Sequence, residues 1–103
     1  MLFIETPVFT NRVEKLMDDD DYQQLQQSLA DNPKQGALLQ GGGGIRKVRW
    51  VRRGGGKSKG LRIIYYFAER QEQLWMLFIF GKNEMSNLSD SQLVRLRRII
   101  ERW

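Results

Sequence analysis

The sequence predicts an α+β domain with the element order β-α-α-β-β-β-α, a mainly antiparallel twisted sheet and a C-terminal helix. Three observations predict it. Apolar residues recur at helical spacing between residues 9 and 29 and again between 93 and 103. Runs 45–51, 61–67 and 74–80 are rich in β-branched and aromatic residues. Glycine-rich or polar turns separate those runs. A chain of 103 residues suits one domain spanning 1–103.

Residues 2–5 form a short apolar strand closed by Thr6-Pro7. Phe9, Val13, Leu16 and Met17 then fall on one helical face. The acidic run 18–21 interrupts that helix and starts the next, because aspartates accept first-turn N–H groups and meet the positive end of the dipole. Tyr22, Leu25 and Leu29 make the inner stripe of this second helix. Asn32-Pro33 ends it, since proline drives the preceding residue out of the α region. After the connector 41–44, period-two alternation puts Ile45, Lys47, Arg49 and Val51 on one face, with Arg46, Val48 and Trp50 on the other. A turn over 53–60 leads to 61–67, where Arg62, Ile64 and Tyr66 share a face. Run 74–80 is apolar on both faces and predicts a central, doubly covered strand. Ser89 and Gln92 have capping-box spacing ahead of Leu93, Leu96, Ile99, Ile100 and Trp103.

Composition excludes several chemistries. The chain has no cysteine and no histidine, so thiol nucleophiles, Ser-His pairs and most transition-metal sites are ruled out. Neither a metal nor another cofactor is expected. No apolar run approaches a membrane span, and the N-terminal residues lack a signal-peptide pattern, so the expected compartment is the cytoplasm without membrane association. The formal charge of +5 is unevenly spread. Residues 32–68 contain nine bases and no acid, whereas residues 1–31 carry seven acids against two bases. So one-sided a block suits a polyanion such as nucleic acid, because its cations alternate with apolar residues at strand spacing.

One motif is a decoy. Gly54-Gly55-Gly56-Lys57-Ser58 looks like the end of a phosphate-binding P-loop, but Val51 stands where the first glycine is required. The stretch also precedes a strand instead of a helix. It reads as a hairpin tip, from which Lys57 and Lys59 can reach a polyanion on the sheet.

Four segments in this order resemble the RelE/HigB superfamily of toxins from toxin–antitoxin pairs: Asn32-Pro33, residues 45–49, residues 60–65, and residues 80–84 followed by Ser86. The likeness runs nearly end to end and is nearest to the HigB-type branch with its glycine-rich stretch. It implies a RelE-like fold and a ribosome-dependent mRNA endonuclease acting in the ribosomal A site. It also implies silencing by a cognate antitoxin, HigA-like with a helix-turn-helix domain that reaches operator DNA. By the resemblance, Lys47 activates the 2′-OH, Arg49 and Arg62 hold the scissile phosphate, and Lys82 binds phosphate or protonates the leaving oxygen. Arg46, Lys57, Lys59, Tyr66 and Asn83 are implied RNA contacts. Two positions depart from the pattern. Asn83 replaces a catalytic arginine, and Ser89 replaces a base-stacking tyrosine.

Elementary chemistry supports the same reading. RNA carries its own nucleophile, so an enzyme needs only to align the 2′-oxygen, phosphorus and leaving oxygen and to stabilise added negative charge. Arginine and lysine suffice for that, and arginine offers a planar fork to phosphate. Two competing readings remain: a ParE-like inhibitor that binds DNA gyrase without catalysis, and an RNA-binding module that grips backbone without cutting.

Overall fold

In the computed structural model, residues 1–51 and 60–102 are described. Among them the chain runs β1 (Leu2–Glu5), α1 (Pro7–Leu16), α2 (Asp19–Asp31), β2 (Ala37–Leu38), β3 (Ile45–Trp50), β4 (Leu61–Ala68), β5 (Gln73–Gly81) and α3 (Asp90–Arg102). The sheet order is β1-β5-β4-β3-β2, antiparallel throughout except where β1 pairs in parallel with β5. The expected order therefore holds with one addition. Strand β2 has two residues, both exposed, and so short a segment carries no readable periodicity. The run 74–80 is doubly covered as expected, but β4 takes the middle place and β5 lies beside it. The expected turn over 53–60 and the glycine–lysine motif fall almost entirely outside the described residues, as does Trp103.

Helix boundaries follow local chemistry. The Thr6 hydroxyl accepts from the Phe9 N–H at 3.1 Å and Pro7 occupies the first turn, where its missing N–H costs nothing. Asp18 Oδ1 accepts from the Asp21 N–H at 2.8 Å, so the acidic run caps α2 as expected. The capping box before α3 is reciprocal: Ser89 N–H donates to Gln92 Oε1 at 2.9 Å, and Gln92 N–H to Ser89 Oγ at 3.2 Å.

Two apolar layers flank the sheet. Phe9, Val13, Leu25 and Leu29 from α1 and α2 pack on Val48, Ile63, Tyr65 and Met76. On the opposite face, Leu96, with Leu93, Ile99 and Ile100, covers Ile45, Ile64, Trp75 and Phe80. A β-bulge lies between Ile64 and Tyr65, where Ile64 pairs with Phe78 and Tyr65 with Met76, which leaves Leu77 as the extra residue. Leu77 and Phe78 consequently both pack on the α3 side. Beyond Met76, β5 has no strand neighbour on its β1 side among the described residues. Side chains supply that edge: Thr6 Oγ1 donates to Leu77 O at 2.8 Å and Arg12 Nε to Ile79 O at 2.6 Å. Gly44 has φ +108°, and a Cβ there would lie 2.8 Å from the Tyr66 ring. Only glycine fits that turn.

Candidate phosphate-binding site

The register of β3 against β4 determines which cations meet. Arg49 stands directly opposite Arg62, and Lys47 opposite Ile64, so Lys47, Arg49 and Arg62 share the sheet face that α3 partly covers. Two like charges directly opposite on paired strands repel, and their pairing disfavours the sheet unless an anion lies between or above them. Arg62 is the extreme case. It is only 6% exposed, yet its one hydrogen bond among the described residues runs from Nη1 to its neighbour's carbonyl, Leu61 O, at 3.3 Å. No carboxylate of the described residues lies within ion-pair distance of it. A buried guanidinium without a counter-ion is expensive, and it supplies fixed, pre-oriented donors for an incoming anion.

Other groups converge on the same end of the sheet. Leu61 pairs with Gly81, and Lys82 N–H donates to Gly60 O at 3.3 Å, which sets the exposed Lys82 beside the start of β4. Asn83 is exposed on the same turn. Lys47 is half-buried and its Nζ donates to Asn87 Oδ1 at 3.1 Å. Asn87 is absent from the sequence-derived residue set. Its place is set by the path of the 82–89 segment back across β3, and no local pattern encodes that. Tyr66 shares the face but lies at the far end of β4, its ring 5.1 Å from that of Trp75. Arg46 is set apart. It lies on the opposite face, where Nη1 donates to Lys34 O at 3.1 Å and Gly36 O at 2.8 Å. Lys57 and Lys59 lie outside the described residues. Among the described residues, no group of three or more acidic side chains is arranged to hold a metal ion.

The turn that carries Lys82 is clamped from α1. Arg12 Nη2 bonds Glu84 Oε1, which also accepts from the Gly81 N–H at 2.9 Å, while the guanidinium lies 4.9 Å from the Phe78 ring centroid. The hydrogen bonds from Arg12 and then from Gly81 hold the Glu84 carboxyl below its usual 4.5. A lowered folded-state value means the clamp stabilises above the ordinary glutamate range and is lost as pH falls through the lowered value. Glu84→Gln is expected to cost about 0.5 kcal/mol near neutrality, because the pair is partly solvent-exposed. The wild type and the variant should converge in melting temperature as the pH drops below 4.5. A gap that persists in acid would show that the clamp is not ionic.

The family model described as the RelE toxin of the RelE / RelB toxin-antitoxin system matches residues 8–103. The chain belongs to the RelE toxin family. Its fold is also that of solved RelE structures. A mutant of E. coli toxin RelE in the free state superposes with a TM-score of 0.62 at 14% identity, over 91% of this chain and 94% of that one. A chain of the intact E. coli RelBE toxin–antitoxin complex gives 0.56 at 15% identity, over 76% of this chain and 92% of that one. At such identities the likeness is one of fold. Among the described residues, no helix is long and apolar enough to cross a membrane.

Proposed function

We propose that this RelE-family chain cleaves mRNA on the ribosome, and that a cognate antitoxin neutralises it. The observation that carries this reading is Arg62, a buried guanidinium opposite a second arginine, with no carboxylate of the described residues within ion-pair distance. Such a group holds a phosphate better than it holds a protein together. In the proposed reaction, Lys47 in its neutral form accepts the proton of a ribose 2′-OH. The 2′-oxygen attacks the adjacent phosphorus, the phosphorus–O5′ bond breaks, and a 2′,3′-cyclic phosphate remains. Arg49 and Arg62 neutralise the charge that builds on the non-bridging oxygens. The leaving O5′ takes a proton from Lys82 or from water. Asn87 steadies the Lys47 amine without adding a negative charge beside the RNA. Lys57, Lys59, Tyr66 and Asn83 are proposed contacts to flanking nucleotides, and no metal or other cofactor takes part. Arg46 serves the neighbouring backbone instead of the phosphate.

The partners follow from the same surface. The HigB-like reading supplies a HigA-like antitoxin that binds operator DNA, and the basic block favours an acidic antitoxin segment. Mapping transcript 5′ ends after brief induction tests the proposal, with a translating extract run alongside. Codon-spaced cuts that require ribosomes support it. DNA breaks with intact mRNA would favour a gyrase inhibitor, and salt-steep RNA binding without cuts would favour a passive binder.

A further inference from the structure

The turn beside the cation cluster is braced more heavily than its exposure calls for. Residues 82–84 are all exposed, and Glu84 is the one acidic residue between positions 73 and 89. Its Oε1 accepts from the Gly81 N–H and from Arg12 Nη2, two bonds that close the turn onto α1. Glu84 N–H and Met85 N–H both return to Gly81 O, at 3.0 Å and 3.3 Å. Arg12 is itself fixed at two further points, through Nε on Ile79 O and through its guanidinium over the Phe78 ring. A partly exposed ion pair contributes little to stability, and holding a long side chain at three points costs rotamer entropy. Stability alone is a poor account of the arrangement.

The brace leads to the phosphate site. Lys82 N–H donates to Gly60 O, which ties the turn to the residue just before β4. Gly60 in turn lies against the buried arginine, since a Cβ on it would sit 3.5 Å from Arg62 Nη1. A continuous path of contacts thus joins Arg12, Glu84, Gly81, Lys82, Gly60 and Arg62. Charge follows the same path. An unpaired carboxylate on the Lys82 turn would repel an RNA backbone, and Arg12 both neutralises it and draws it toward α1.

We infer that Arg12 and Glu84 are positioning residues of the phosphate site, fixing Lys82 and Gly60 relative to Arg62 while cancelling the negative charge on that turn. Neither acts on RNA directly. For its effect on rate the inference rests on the nuclease reading, because misplacing a catalytic cation by about 1 Å costs on the order of 10² in rate.

The test compares the full-length wild type with Arg12→Gln, Glu84→Ala and Arg12→Gln/Glu84→Gln, first in transcript cleavage on ribosomes. Arg12→Gln is expected to lower the maximal rate at least about tenfold, with the protein concentration for half-maximal rate changed less than about threefold. Glu84→Ala changes an exposed position and so keeps the fold, and it should slow the reaction at least about fivefold. The double variant removes the stranded carboxylate and should cut at least about threefold faster than Arg12→Gln. Recovery of rate without a matching recovery of melting temperature separates positioning from stability. Single variants as fast as wild type, or losses that track the unfolded fraction, would overturn the inference. A second readout does not depend on cutting. A 2′-O-methyl trinucleotide, which lacks the nucleophile, is titrated onto the chain while the amide resonances of Gly60, Arg62 and Lys82 are followed. Arg12→Gln should weaken this probe at least about threefold. If the wild type leaves transcripts intact, the nuclease reading falls and the probe alone decides: weakened binding upholds the positioning pair, and unchanged or absent binding rejects it.

Discussion

Arg62→Met is expected to abolish growth arrest and lower transcript cleavage by about 10²–10³-fold, the scale for losing one pre-oriented donor to a developing charge. The same change should leave the fold intact and make it more stable. Methionine fills a similar volume, and it removes a guanidinium that is 6% exposed, faces Arg49 across the ladder and has no carboxylate of the described residues within ion-pair distance. Relief of that burial is worth on the order of 1 kcal/mol or more. In a domain of this size that raises the melting temperature by roughly 4–8 °C. Arg62→Lys keeps the charge but not the planar fork, so it should fall between the two. Opposite signs in activity and stability are the signature of a functional arginine. A structural arginine would lose both together. A variant as toxic as wild type would remove Arg62 from the site.

Tyr65→Phe is expected to destabilise the chain by about 2 kcal/mol without changing any residue of the phosphate cluster. Tyr65 is fully buried, and its hydroxyl makes two bonds: it donates to Pro33 O at 2.8 Å and accepts from the Gly36 N–H at 2.9 Å. Burial pushes its phenol up from the usual 10, so the proton stays on. Phenylalanine would fill the space but leave a carbonyl and an N–H without a partner, and that loss sets the magnitude. The segment these bonds hold leads from α2 into β2, which pairs with Arg46 and Lys47 of β3. Its closeness depends on Gly36, where a Cβ would lie 2.9 Å from Tyr65 and 3.0 Å from Lys47 O. Denaturant unfolding reads the loss directly. A change below about 0.5 kcal/mol would mean that water replaces both bonds.

Much of this was legible in the residues. The spacing of Phe9, Val13, Leu25 and Leu29 predicts two helices with buried stripes, and those residues are buried. The Ser89–Gln92 spacing predicts a capping box, and both of its bonds form. Alternation places Lys47 and Arg49 on one face of a strand and Arg62 on one face of another. These signals are local, and period and capping chemistry act within a few residues. The bulge at Leu77, the short β2 and the side-chain cover of β5 are not local, and nothing near them in the chain announces them.

By itself the sequence determined the elements, the absence of histidine and cysteine chemistry, the basic centre and the family resemblance. The first three rest on composition or on periodicity within one element, and the resemblance rests on four short segments in their order along the chain. Tertiary structure alone decided that Arg49 meets Arg62, because register is a relation between strands. It also decided that Asn87 holds Lys47 and that Arg46 turns away to Lys34 and Gly36. Those contacts join residues 10 to 40 positions apart. They depend on how the core packs, and no local preference of the chain specifies that.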